Sequence, residues 1–128
     1  MITEDYVSFE IAKLLKEKGF DEGCSFVVNA ISKGVMPVSW PTTNSDIEDE
    51  KASLIALPTI QMVMKWLRET YHLHILFEIS DPSQINPKYY FIVWDTSKQN
   101  SYLVDLFDSY EEACEEAIKY CLENLVKV

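Results

Sequence analysis

Glycine is scarce in this chain: of its 128 residues, three are glycine, at positions 19, 23 and 34. Phosphate-binding loops need several glycines within a few residues, because side chains would keep the backbone away from the phosphate. No such loop can be assembled here. The sequence signatures of serine hydrolases and protein kinases are absent as well. These absences argue against a nucleotide-binding loop and against both enzyme classes.

Positive charge is also scarce. Eleven Lys and Arg residues face 21 Asp and Glu residues, which gives a formal net charge of −10 and a pI of about 4.5. Binding to a nucleic-acid backbone or to an anionic membrane surface depends on clustered Lys and Arg. The balance therefore argues against direct nucleic-acid binding and against membrane adhesion.

Cysteine is limited to Cys24, Cys114 and Cys121. The number is odd, and the spacings match no zinc-binding pattern. Cys114 and Cys121 are seven residues apart in a helical pattern, which places them too far apart along the helix axis to form a disulfide. We expect three reduced thiols and no cofactor, and reduced thiols are typical of cytoplasmic proteins.

No long apolar run is present. The first five residues have neither the basic nor the apolar segment of a signal peptide. The longest apolar candidate, residues 54–67, is interrupted by Pro58, Gln61 and Lys65 and falls short of the ~18 residues that a membrane span needs. We therefore expect a cytoplasmic protein that neither spans nor binds a membrane.

Apolar residues are nevertheless plentiful, at 48% of the chain with 12% aromatic residues. This content is typical of a folded protein rather than a disordered one. A chain of this length fits one domain, since two separate cores would each be small. We predict a single domain over residues 1–128.

The first of three predicted helices spans residues 8–18. Ser8 is a suitable N-cap, and Gly19 stands where a left-handed C-cap belongs. Phe20 can then fold back onto the last turn. A start at Thr3 is an open alternative.

The second predicted helix begins near Pro58 and continues to about His72. Met62 and Trp66 lie outside both its core stripe and its polar stripe, and they widen the apolar arc to about 200°. One packing surface does not require an arc so wide. The pattern marks Met62 and Trp66 as a candidate interface or as contacts to a second layer.

The third predicted helix begins at Ser109, which forms a capping-box pair with Glu112. Its apolar stripe consists of Cys114, Ile118, Cys121, Leu122 and Leu125. The two cysteines in this stripe are therefore expected to be inert, buried side chains.

Three strand-like segments lie between the second and third helices, at residues 73–79, 89–95 and 101–107. They are rich in β-branched and aromatic residues, and the links between them are short and polar. This arrangement predicts an antiparallel meander.

Residues 24–57 are harder to assign. Residues 26–28 are strand-like, and residues 35–38 suit an edge strand because Pro37 cannot donate to a central ladder. These two segments suggest a hairpin.

The polar, acidic residues 41–51 predict an exposed loop, although the capping-box spacing of Ser45 and Glu48 also allows a helical turn. Residues 52–57 are ambiguous between strand and helix. The predicted fold class is α+β, with a mainly antiparallel sheet of three or more strands and about three helices packed on it.

Three segments carry a resemblance to known sequences: YVSFEIAKLLKEKGF (Tyr6 to Phe20), LPTIQMVMKWLRE (Leu57 to Glu69) and SYEEACEEAIKYCLENL (Ser109 to Leu125). In this order they resemble a group of small uncharacterised proteins of gut Bacteroidales bacteria and their phages or mobile elements. The resemblance implies a cytoplasmic setting in a bacterium or its phage. It supplies no activity, cofactor or site residue.

The two histidines, His72 and His74, could form a metal site with Glu78 if all three lay in one strand. The favoured alternative places His72 at the end of the second helix, where an imidazolium suits the helix dipole. Cys24 could act as a nucleophile with either histidine as its base. No cysteine-protease signature surrounds it.

The acidic residues Asp46, Glu48, Asp49 and Glu50 could bind calcium, but they lack the glycine and the ligand spacing of an EF-hand. A solvated loop is the favoured interpretation. The tryptophans and Tyr89 and Tyr90 could mark an interface, because aromatic residues are enriched there. We expect Trp94 to lie in the core.

No catalytic, metal-binding or cofactor-binding residue can therefore be assigned. The leading hypothesis is a non-catalytic protein that associates with itself or with another protein through Met62 and Trp66. One alternative is an acidic decoy that occupies a basic nucleic-acid-binding protein. The other is a small enzyme or ligand-binding domain that uses Cys24, His72 and His74.

Overall fold

The computed structural model describes residue 2, residues 4–47 and residues 53–127. Within these residues the chain forms, in order, α1 (Phe9–Glu17), β1 (Cys24–Asn29), β2 (Val35–Thr42), β3 (Leu54–Leu57), α2 (Ile60–Tyr71), β4 (Leu73–Ile79), β5 (Tyr89–Asp95), β6 (Asn100–Phe107), α3 (Tyr110–Tyr120) and a π-helical turn (Cys121–Leu125). The predicted α+β class is confirmed. The described strands form two antiparallel sheets of three strands each, in the orders β2-β1-β3 and β4-β5-β6.

The contacts of the chain group into two compact units, one of residues 1–59 with 127–128 and one of residues 60–126. The first unit contains α1 and the sheet β2-β1-β3. The second contains α2, the sheet β4-β5-β6 and α3. The assignment of residues 1–128 to a single domain stays a prediction.

Local chemistry at both ends of α1 explains its limits. The Ser8 hydroxyl accepts a hydrogen bond from the Ile11 amide at 3.3 Å, as expected of an N-cap. Gly19 adopts a left-handed φ of 87°, and the Phe20 amide donates to the Leu15 carbonyl at 2.9 Å. With the Gly19 amide bonded to the Lys16 carbonyl, this is a Schellman motif. The predicted caps of this helix are confirmed.

The first sheet confirms the hairpin and resolves the ambiguous segment before α2. β1 pairs with both neighbours, so that Phe26 stands between Pro37 of β2 and Leu57 of β3. Pro37 therefore lies on an edge strand, where its missing amide donor is tolerated. Residues 54–57 form a strand rather than a helix.

A short turn follows β2. The Asp46 amide donates to the Thr43 carbonyl at 3.1 Å, and Asn44 joins distant segments by donating to the Phe20 carbonyl and accepting from the Ala56 amide. The predicted loop at 41–51 begins later than expected, because residues 41 and 42 belong to β2. Glu48, Asp49 and Glu50 of the acidic run lie outside the described residues.

The second sheet matches the predicted meander closely. β4 and β5 have the predicted bounds, and β6 begins one residue earlier than predicted. Leu76, Ile92 and Leu103 are register neighbours across the three strands. A bulge between Tyr89 and Phe91 shifts the pairing with β6 at one end of the sheet.

Aromatic side chains join one face of this sheet to α3. The Tyr110 ring lies 5.1 Å from Phe77, and the Tyr120 ring lies 6.5 Å from Phe91, between ring centroids. Phe91 also stacks on Phe107 at 5.8 Å. We call this the inner face; its residues include Phe77, Phe91, Val93 and Phe107.

The third helix begins as predicted and continues into a π-helical turn. The Ser109 hydroxyl accepts from the Glu112 amide at 3.1 Å, which confirms the N-cap. After Tyr120 the hydrogen bonding widens, and the Val126 amide donates to the Cys121 carbonyl at 2.9 Å, five residues back. This turn keeps Cys121, Leu122 and Val126 buried.

Candidate functional site: the outer face of the second sheet

Successive side chains of a strand alternate between the two faces of a sheet. Every second side chain of β4, β5 and β6 therefore lies on the face opposite the inner face. Register places His74 beside Trp94, Leu76 beside Ile92 and Glu78 beside Tyr90. Ser101 and Leu103 of β6 continue the first two rows. We call this surface the outer face, and it consists of His74, Leu76, Glu78, Tyr90, Ile92, Trp94, Ser101, Leu103 and the two consecutive residues at the bulge opposite Tyr90, Asp105 and Leu106.

Large apolar side chains on the outer face are exposed to solvent. The exposed fraction is 71% for Leu103, 54% for Leu106, 51% for Leu76 and 42% for Trp94. If a large side chain has roughly 150–250 Å² of surface, four that are half exposed present about 400 Å². Apolar patches of ~300–600 Å² on a monomer often mark binding sites.

Polar groups lie at both ends of this patch. At one end the Tyr90 hydroxyl donates a hydrogen bond to the Glu78 carboxylate, and that bond raises the pKa of Tyr90. A shallow depression nearby is lined by Tyr90, Leu103, Asp105 and Leu106, so these four side chains share one surface. At the other end His74 lies beside Trp94. The arrangement offers apolar contact area with an acidic end.

The sequence carries a signal for this surface in β5. Tyr90, Ile92 and Trp94 face outward, and the residues between them face inward, so the central strand is apolar on both sides. Strands of this kind are typical of sheets that are covered on both faces. The prediction that Trp94 lies in the core is wrong, because the outer face leaves 42% of it exposed.

The predicted interface residues lie on α2. The Trp66 side chain is 7% exposed and makes an edge-to-face contact with Tyr71, with ring centroids 5.2 Å apart. Met62 is half-buried. Trp66 therefore has little surface to offer, and the interface role of these two residues stays a prediction.

The residues of the enzyme hypothesis have separate environments. Cys24 begins β1 in the first unit, where burial and then the negative charge of Glu22 raise the pKa of its thiol to about 11. A thiol with this pKa is protonated at neutral pH, which disfavours a nucleophilic role. His72 and His74 belong to the second unit.

The histidines do not form the strand pair that a metal site would need. His72 follows α2 with a left-handed φ of 59°, and its amide donates to the Arg68 carbonyl. This position confirms that His72 ends the helix. His74 lies on the outer face of β4. Among the residues that the structure describes, no three His, Cys, Asp or Glu side chains are grouped so that they could hold a metal ion.

The cysteines are free thiols. Cys114 and Cys121 are buried in the third helical segment, as the apolar stripe predicts. Burial raises the pKa of Cys121 to about 12. Neither side chain is accessible for chemistry at the surface.

Several aspartates serve local structure. Asp21 accepts from the Ser45 amide, Asp81 from the Ser83 amide and hydroxyl, and Asp95 from the Ser97 amide and hydroxyl. These bonds lower the pKa of each carboxyl group, mainly through the serine donors. Part of the acidic excess therefore shapes turns, which gives the acidic-decoy hypothesis no particular support.

Comparison of the chain with protein-family models, with curated proteins and with solved structures finds no match. No helix in the described part of the chain is both long and apolar enough to cross a bilayer. The interpretation of function therefore rests on the chemistry of the outer face.

Proposed function

We propose that this chain is a non-catalytic protein-interaction domain and that it binds through the outer face of its second sheet. One observation carries the proposal: three leucines and a tryptophan are exposed together on a sheet whose central strand is apolar on both sides. Isolated apolar side chains on a surface need no explanation, but a contiguous patch does.

The composition of the outer face suits binding better than catalysis. Trp94 and Tyr90 are residue types that dominate the energetics of protein interfaces. The Tyr90–Glu78 hydrogen bond already pairs the polar atoms at one end, so these atoms do not need a ligand to satisfy them. The Cys24 thiol, by contrast, is buried and protonated.

The size of the patch predicts weak affinity. At ~25 cal/mol per Å², burying about 400 Å² of apolar surface contributes roughly 10 kcal/mol. Association costs about 4–15 kcal/mol in lost translational and rotational freedom. The two terms are of similar size, so the affinity depends on a few well-packed contacts around Leu103 and Trp94.

We place this interaction in the cytoplasm of a bacterial cell or a phage-infected cell. The three free thiols support this setting. So does the resemblance of the three helical segments to proteins of gut Bacteroidales and their phages.

Site-specific photo-cross-linking tests the proposal. A benzophenone amino acid replaces Leu103 on the outer face or, as a matched control, the exposed Glu116 of α3, the helix that covers the inner face. In cells that naturally contain the protein, we expect irradiation to join the Leu103 variant to a protein and to leave the Glu116 variant unjoined. The absence of an adduct at Leu103, or equal adducts at both positions, would contradict the proposal.

A further inference from the structure

We propose that a second copy of this chain occupies the outer face, in a two-fold dimer whose axis runs across the strands along Leu76, Ile92 and Leu103. This inference rests on the proposed function, because it names the partner of the same surface. It follows from the order of the side chains across the sheet and from the position of the charges.

The central row of the outer face is apolar from edge to edge. Leu76, Ile92 and Leu103 are register neighbours, so their side chains lie side by side across β4, β5 and β6. A two-fold axis parallel to this row, midway between two facing sheets, places each residue against its own counterpart. Such an isologous contact is self-complementary when the row is uniform, and this row is uniformly aliphatic.

The rows on either side are complementary to each other. His74 and Trp94 lie on one side of the central row, and Glu78 and Tyr90 lie on the other. The proposed axis exchanges the two sides. It therefore places His74 opposite Glu78 of the second copy, and Trp94 opposite Tyr90 of the second copy. One pairing is a cation or hydrogen-bond donor with a carboxylate, and the other is an aromatic pair.

The alternative axis, parallel to the strands, is disfavoured by charge. This axis would place β4 of one copy opposite β6 of the other. Each end of the sheet would then face the same end of the second copy. Glu78 would then stand close to Asp105 of the second copy, because Asp105 lies at the bulge opposite Tyr90, the register neighbour of Glu78. Placing two carboxylates opposite each other is destabilising.

The area of the apolar patch on the outer face is consistent with a weak dimer that has this patch at the centre of its interface. A typical stable interface buries ~800 Å² on each partner, with an apolar centre and a polar rim. The exposed apolar patch of about 400 Å² supplies the centre. Two antiparallel sheets that pack face to face have their strands within about 30° of each other, which the proposed axis allows.

The net charge gives the dimer a distinctive salt dependence. Each copy carries a formal charge of −10, so the two copies repel each other. Because salt screens this repulsion, a self-associating chain binds more tightly as salt rises. A basic partner protein would show the opposite dependence.

Sedimentation velocity of the purified full chain over a dilution series tests the inference. We expect a monomer–dimer equilibrium whose dissociation constant falls severalfold between roughly 0.05 and 0.5 M NaCl. Leu103→Asp should raise the constant by about 100-fold, since a two-fold interface contains the residue twice. Circular dichroism should show an unchanged fold, because Leu103 is mostly exposed.

Charge-exchange variants test the direction of the axis. His74→Glu places two carboxylates opposite each other and should weaken the dimer, and adding Glu78→Lys to it should restore opposite charges and recover the affinity. Glu116→Lys, on α3, changes the net charge as much as Glu78→Lys and controls for that change. If Glu78→Lys alone tightened the dimer more than Glu116→Lys, the axis parallel to the strands would be the correct one and the proposed axis wrong.

Other outcomes would also overturn the inference. They are a monomer at all concentrations, a dimer that weakens with salt, a dimer that tolerates Leu103→Asp and a double variant that fails to recover. A monomer that still cross-links through position 103 to a different protein would overturn the dimer but leave the proposed function standing. A monomer without any cross-link would overturn both.

Discussion

The two faces of the second sheet are built from similar residues but have different surroundings. Phe91 and Val93 on the inner face are fully buried, and α3 supplies Tyr110 and Tyr120 as ring contacts to that face. Leu103 on the outer face is mostly exposed. Consecutive apolar residues along the strands make both faces of the sheet apolar. The position of α3 determines that the inner face is the covered one. The difference in coverage is the observation on which the proposed interaction through the outer face rests.

Replacing a ring on the inner face should have the largest effect on stability. Phe91→Ala removes contacts to Phe77, Phe107 and Tyr120, and we expect it to lower the free energy of unfolding by about 3–5 kcal/mol. Leu103→Ala on the outer face should cost less than about 0.5 kcal/mol at dilutions where the chain is monomeric. Urea denaturation of both variants measures the contrast. Equal losses would mean that the two faces are not distinct.

A smaller loss should come from the turn that joins β5 and β6. Asp95 is buried, and its carboxylate accepts from the Ser97 amide at 3.0 Å, the Ser97 hydroxyl at 2.6 Å and the Lys98 amide at 3.2 Å. We expect Asp95→Ala to cost about 1–3 kcal/mol because these donors lose their acceptor. Asp105→Ala, an exposed carboxylate on the outer face, is the matched control and should be nearly neutral.

The cost of Asp95→Ala should also depend on pH. The hydrogen bond from the Ser97 hydroxyl lowers the pKa of Asp95 below its ordinary value of 3.8 in the folded state. As the pH falls, the unfolded chain is therefore protonated first, and the stabilisation by the ionised carboxylate decreases. The difference in unfolding free energy between wild type and variant should be constant near neutrality and should shrink as the pH falls below about 4. A difference that grows on acidification would contradict this assignment.

Local chemistry explains which parts of the fold could be predicted from sequence. The hydroxyls of Ser8 and Ser109 and the left-handed Gly19 set helix ends through bonds to residues three positions away. The meander was predictable because its strands are consecutive and strongly patterned. The division into two sheets was not, because β3 pairs with β1 across a long connection and the turn before it depends on Asn44 reaching Phe20 and Ala56.

The candidate site could be predicted only in part. Alternation along a strand is enough to place His74, Leu76 and Glu78 on one face of β4, but it does not show that this face stays exposed. The sequence alone predicts Trp94 in the core, because a buried tryptophan and an interface tryptophan have the same sequence pattern. Whether a face is covered depends on the packing of α2 and α3 in three dimensions, which no short-range pattern reports.

Methyl NMR on the full chain tests most directly whether the outer face is the contact surface. The methyl chemical shifts of Leu76, Leu103 and Leu106 on the outer face and of Met62 on α2 can be measured in the same dilution series. We predict that the three leucine signals shift as the concentration rises and that the Met62 signal stays constant. A shift of Met62 with constant leucine signals, or no shift in any of the four, would contradict self-association through the outer face.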